Sequence, residues 1–301
     1  MITVVLGLVG ALVFGAADFL GGLSSKRVSA VLTTAVSALA GLVVLLIGSL
    51  VVPGEWSAEA ASWGALSGVT GAVAVFLLYA CLAIGPMSIL SPLTAVVSAV
   101  VPVTWGFVGG ERLGPLAVAA IGLALVAVVL VGFVPEKGAV RPSVKGLAMA
   151  VGSGSLIGTF FILLDQTPDD SGLMPLVLSR GVNATLMFTA FAVLLLVGRR
   201  RRPAAASDGV DGDDDRVALR RRVIRTGVAL ALACGALDAA ANAVILFGLR
   251  GGELSVMSVL IAMYPAGTIL LAAVVLRERI APVQWLGLAL ALAAAGILAV
   301  A

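Results

Sequence analysis

The 301-residue sequence has no histidine, two cysteines, 5% aromatic residues and 12% charged residues, and each shortage excludes something. With no histidine and no GxSxG, CxxC or phosphate-cradling glycine loop, the chain offers no nucleophile–base pair, no imidazole metal set and no nucleotide site. No catalytic residue, metal or cofactor is therefore expected. Cys81 and Cys234 lack metal-ligand spacing and read as small residues inside apolar runs. The scarcity of charge excludes an ordinary soluble domain, because a chain that is 61% hydrophobic, with mean hydropathy +1.17, has too little polar surface to face water.

What the sequence does have is long apolar runs. A bilayer-crossing helix needs about 20 such residues, and runs of that kind lie near 2–22, 30–52, 61–83, 87–108, 114–134, 146–164, 174–197, 226–248, 254–275 and 282–300. The fold class they define is an all-α polytopic membrane protein with ten transmembrane helices. None of the runs alternates as the strands of a membrane β-barrel do. The first run carries Asp18, has no basic segment before it and no cleavage site after it, so it reads as a retained span. Gly64xxxGly68 and Gly154xxxGly158 are the small-residue spacings that let membrane helices approach closely.

The chain repeats itself. Shifted by 167 positions, LSVMSVLIA (Leu254 to Ala262) falls on MSILSPLTA (Met87 to Ala95), matching Ser88 with Ser255 and Ser91 with Ser258. Without a gap, Glu111-Arg112-Leu113-Gly114-Pro115 then falls on Glu278-Arg279-Ile280-Ala281-Pro282. A single long period means two related halves, here residues 1–137 and 145–301. Five spans per half is an odd number, so the second half inserts upside down and the pair forms an inverted repeat.

Net charge is +3, but the basic residues lie in loops beside the spans and are topology signals, not a nucleic-acid surface. Loops after odd-numbered spans hold 16 Lys and Arg; those after even-numbered spans hold only Arg112 and Arg250. That asymmetry places the odd loops in the cytoplasm and both termini outside, in the plasma (inner) membrane. The segment 198–226 has basic flanks, an acidic centre and the composition of a disordered cytoplasmic linker. Its Asp211, Asp213 and Asp215 alternate, but no Glu closes a twelve-residue calcium loop. Arg199 to Arg202 and Arg220 to Arg222 suit anionic headgroups of membrane lipids.

Charges inside spans are costly and mark function by default. Asp238 lies about a dozen residues into its span, with Asn242 one turn on along the same face. Its repeat equivalent is Gly71, so the carboxylate belongs to one half only. It reads either as a substrate or proton site, or as half of a structural pair. Arg180, with Asn183 three residues on, either snorkels to the interface, binds a substrate carboxylate or pairs with Asp238. Asp18 sits near the end of the first span, where Lys26 or Arg27 could be reached through water, and Asp165 belongs at the outer surface. Pro102 and Pro265 each remove a helix hydrogen bond and are the candidate breaks or gates. Ser91, Ser258 and Tyr264 around them are candidate cavity linings, although isolated hydroxyls in spans mostly bond between helices.

Tyr264-Pro265, with the proline thirteen residues before Glu278, then Arg279 and Trp285-Leu286-Gly287, resembles the end of an EamA-type repeat of the drug/metabolite transporter superfamily. The resemblance spans both halves, with one departure: the position thirteen before Glu111 is Ser98, and Pro102 comes one turn later. It implies a ten-helix carrier of small metabolites with a central cavity between the halves. It also implies both termini in the cytoplasm, against the charge count of this sequence. The expected function is thus a secondary transporter of a small polar, amino-acid-like metabolite, working by alternating access, with protons as the coupling ion and a monomer or homodimer as the assembly. The alternative of a different class is a membrane accessory protein that docks a cytoplasmic partner through its basic loop.

Overall fold

The computed structural model describes residues 2–84, 87–132, 143–201, 214–275 and 281–300. Among them there is no strand, and the helices are α1 (Ile2–Ser25), α2 (Ala30–Val51), α3 (Ala58–Ile84), α4 (Met87–Val108), α5 (Pro115–Gly132), α6 (Val144–Asp165), α7 (Met174–Arg201), α8 (Asp214–Arg250), α9 (Leu254–Ile261), α10 (Tyr264–Val275) and α11 (Pro282–Val300). Helix starts follow from local chemistry. Ser29 and Ser143 accept hydrogen bonds from the first-turn amides of Leu32 and Gly146, and Pro115 and Pro282 stand at first helical positions, where a missing N–H costs nothing. After α4 the chain turns at Gly110, whose φ of +97° suits glycine.

Nine of the described helical segments, counting α9 and α10 as one, are long and apolar enough to cross a bilayer, and Pro92–Val108 is a shorter apolar helix. Leu50, Val51, Val108, Val144, Leu292 and Val300 are largely exposed on the outside of the bundle, a surface suited to lipid. The protein is a multi-pass membrane protein.

Helix α1 lies along α8, and α3 along α6. Helix α2 touches both α7 and α8, and α7 touches both α2 and α3. Helices α9 and α10 pack on α1, α4 packs on α6 and α9, and α5 pairs with α11. One core, rich in alanine, joins α1, α4, α5 and α9–α11 through residues such as Ala120, Val128, Leu260, Tyr264 and Ala294. A second joins α2 and α6–α9 through Leu45, Phe160, Leu176, Ile245 and Met257. Small residues set the spacing, as their pattern suggested. A Cβ on Gly64 or Gly68 would meet the backbone of Pro175 or Ser179, and one on Gly154 or Gly158 would meet Thr94 O or Pro102 Cδ.

Two expectations need correction. The linker expected over 198–226 is helical wherever it is described, since α7 runs to Arg201 and α8 starts at Asp214. Asp214 to Thr226 contains neither Gly nor Pro and carries five Arg, so a helix anchored in the bilayer propagates outward without meeting a breaker. Asp211 and Asp213 lie outside the described residues.

The proline expectation holds for one half only. The ninth span is divided between Ile261 and Tyr264, and Ile261 is the residue whose carbonyl the Pro265 ring would crowd and leave unbonded. Met263 N instead bonds Leu260 O, and Ala266 N bonds Met263 O. Helix α4 runs unbroken past Pro102, which is buried against Gly158 of α6.

A charged cluster at mid-depth

The site is built from the middle of α8 outward. Asp238 lies 12 residues before Arg250, the last residue of α8, or about 18 Å along the axis at 1.5 Å per residue. That is deep within a hydrocarbon layer about 30 Å thick. Its Oδ2 is paired with Arg180 Nη2 of α7. Asn242, one turn on, donates from Nδ2 to the Asp238 main-chain oxygen at 2.7 Å and to Oδ1 at 3.3 Å. Both carboxylate oxygens are thus engaged. The pair is not sealed in: the side chains of Arg180 and Asp238 remain 12% and 19% exposed.

Two glycines bring these helices together. A Cβ on Gly235 of α8 would lie 2.1 Å from Ser37 O of α2, so only glycine allows α2 so close. A Cβ on Gly41 of α2 would lie 3.1 Å from Gly235 O and 3.6 Å from Arg180 Cδ. The arginine stem runs past Gly41 of α2, where even a Cβ would meet it only in ordinary van der Waals contact. The guanidinium can therefore reach α8 even though α7 and α8 are held apart by α2. Cys234 lies against Ser37 and within the field of Asp238, Asp18 and Arg180.

Asp18 of α1 is half-buried and close enough to Asp238 for the two carboxylates to repel each other. Among the described residues it forms neither ion pair nor hydrogen bond, and no ion pair joins it to Lys26 or Arg27. With all groups ionised the cluster carries one net negative charge. Asn242 Oδ1 is also buried with no hydrogen-bond partner among the described residues, as is Asn183 Oδ1 of α7, whose amide lies towards Gly71 of α3. The Asn242 amide cannot be turned to hide this, because Nδ2 must face the two Asp238 oxygens.

The remaining candidates lie apart from this cluster. Ser258 of α9 is buried without a partner among the described residues, and Tyr264 of α10 meets Phe14 of α1 edge to face at 5.6 Å. A Cβ on Gly15 would lie 2.3 Å from Tyr264 O, and Thr268 donates to Gly15 O at 3.0 Å. Helix α1 is therefore clamped on the α9–α10 break, while Asp18, one turn beyond Phe14, faces the charges. Pro265 borders an apolar gap of about 160 Å³ lined by Val128, Val131, Met263, Ala266 and Ala291, too narrow for water; it is no polar cavity. The side chain of Ser91 lies outside the described residues. Asp165, at the end of α6, is not part of the cluster.

Sequence reasoning missed two arrangements. One is the close Gly41–Gly235 approach of α2 and α8, whose only trace is a mid-span glycine on each helix. The other ties α9 to the α4–α5 loop, where Ser255 Oγ in the first turn of α9 donates to Glu111 Oε2. That carboxylate folds over Gly106, where a Cβ would occupy its place. Beside it, partial burial and the nearby Glu111 hold the Glu253 carboxyl above the usual range. The signal was present, since Glu111 and Ser255 both fall in the repeated segments.

Helices of this length and polarity, small-residue packing and an ion pair at mid-depth define a polytopic membrane protein with a polar site inside its bundle. Residues 144–300 match the EamA-like transporter family, and the chain belongs to that family. Its members are transporters in the drug/metabolite transporter superfamily. Solved structures share the fold; one crystal structure has a TM-score of 0.67 at 19% identity, covering 98% of this chain and 95% of the other. No curated protein matches the sequence.

Proposed function

We propose that the protein is a secondary carrier of small polar solutes in the plasma membrane, in which two inverted five-helix halves, 1–137 and 145–301, alternate access to the Arg180–Asp238–Asp18 cluster. The pairing of helices supports the repeat. Exchanging α1 to α5 for α6, α7, α8, α9–α10 and α11 turns the α1–α8 contact into α6–α3, α2–α8 into α7–α3, and α1 on α9–α10 into α6 on α4. The α2–α7 and α5–α11 contacts map onto themselves. With α9 and α10 taken as one broken span, the described helices number ten, as this reading requires.

The observation that carries the reading is the cluster itself. A charge near the bilayer centre costs roughly 2.5–3.5 kcal/mol on insertion scales, and the equivalent of Asp238 in the other half is Gly71, which shows that the packing alone does not require a carboxylate. The sequence has no nucleotide-binding motif, so an ion gradient or the solute's own gradient supplies the energy. Protons suit a site with one carboxylate more than its cation can neutralise. The distribution of Lys and Arg supports an orientation with both termini outside.

Flux into proteoliposomes under an imposed pH gradient tests this. Asp238→Asn keeps the shape but removes the charge and should abolish gradient-driven accumulation, while Asp238→Glu retains part of it. Wild-type rate and pH dependence in Asp238→Asn would overturn the site assignment.

A further inference from the structure

We infer that the solute is an organic monocation, an ammonium whose N–H groups are held by Asp18. This rests on the carrier reading and names its substrate class. Of the three charges in the cluster, two cancel: Asp238 spends one oxygen on Arg180 and the other on Asn242. Asp18 is left with no cation among the described residues and with Asp238 close enough to repel it. A carboxylate in that position is completed by something that arrives positively charged.

The unsatisfied group beside the pair has the same polarity. Asn242, one turn from Asp238 on α8, is 1% exposed, its Nδ2 is held by the two Asp238 oxygens, and its carbonyl oxygen is without a partner among the described residues. An acceptor of this kind calls for a donor, and an ammonium donates up to three hydrogen bonds and accepts none. A carboxylate solute would find the one cation of the cluster already engaged and a net negative charge facing it. An uncharged solute would gain nothing from the charge of Asp18, which a proton alone would then neutralise.

The carbon part of the solute is accounted for on α1. Phe14 lies one turn before Asp18 on the same face, half-buried, with Tyr264 against its ring. An aromatic pair beside the carboxylate favours an organic cation over a hydrated metal ion, and no metal-binding group of three or more His, Cys, Asp or Glu occurs among the described residues.

The test uses the full chain purified in detergent and four probes: n-butylammonium, butyramide and butyrate, which share a carbon skeleton, and sodium. Ligands that bind the folded state raise the unfolding temperature with concentration. Butylammonium alone should do so, with affinity lowered at least about tenfold in Asp18→Asn and retained in Asp18→Glu and in Asp169→Asn, an exposed site at the end of the bundle. The same probes are then given to proteoliposomes. Stabilisation by butyrate, butyramide or sodium in place of butylammonium, by no probe, or by butylammonium equally in Asp18→Asn, overturns the inference. If butyrate or butyramide is carried, the carrier reading stands without it. If butylammonium binds through Asp18 but crosses no membrane, the cation site stands and the carrier reading falls.

Discussion

Removing either partner of the Arg180–Asp238 pair should have unequal effects, and Asp18 sets the inequality. Two unit charges about 4 Å apart interact by about 4 kcal/mol at an effective dielectric of 20, and loss of one partner from a buried pair costs about 3–5 kcal/mol. Arg180→Gln leaves Asp238 and Asp18 facing each other with no cation between them. It should fall at about 3–5 kcal/mol. Asp238→Asn leaves Arg180 with Asp18 as a substitute partner and relieves the repulsion between the carboxylates. With side-chain exposures of 12% and 19% admitting some water to the pair, the smaller figure is about 2 kcal/mol. In the double variant Asn and Gln are both neutral, so the two losses should fall short of adding by about 2–3 kcal/mol. The assay is unfolding of the micelle-bound protein by sodium dodecyl sulfate, followed by fluorescence of its four tryptophans. Equal single losses would refute the role given to Asp18. Additivity within about 0.5 kcal/mol would refute the pair.

Gly235→Ala should destabilise the protein by about 1–3 kcal/mol, because its Cβ would meet the Ser37 backbone; Gly22→Ala, with open space around it, should be neutral or stabilising in the same titration. Glu253 holds its proton more tightly in the folded state than its ordinary value of 4.5 allows, so the fold binds more protons than the unfolded chain and loses stability as pH rises through that window. Glu253→Gln should accordingly unfold at a higher temperature than wild type at pH 7 and match it at pH 4; a constant difference across pH would rule out the linkage. Single cysteines placed in 199–225 should react with impermeant reagents only after the membrane is opened, whereas those at residues 1 and 301 should react from outside. Cys81 and Cys234 are buried, which keeps the background low, and labelling of 199–225 in intact cells would reverse the orientation.

The sequence by itself determined that the chain is a helical membrane protein and roughly where its apolar helices lie. Hydropathy is a local property, and a bilayer permits few ways of satisfying a backbone. It also picked out Asp238, Asn242 and Arg180, because a charge in an apolar run is conspicuous without any partner in view. The partners themselves were decided in three dimensions. Lipid tails are as apolar as the leucines that face them, so contact faces carry little hydrophobic signature and are set by where small residues let backbones meet. Gly41 and Gly235 let α2 lie close against α8, and Arg180 of α7 passes beside Gly41 to pair with Asp238. Gly15 clamps α1 on the broken ninth span, and Asp18 thereby faces Asp238 and forms no ion pair with Lys26 or Arg27. Pro102 and Pro265 look alike in the sequence, yet only the second divides its helix: α4 continues past Pro102, seated against Gly158 of α6, while Pro265 stands at the start of α10. Propensity proposes a break, and the packing of the neighbouring helix decides whether it forms.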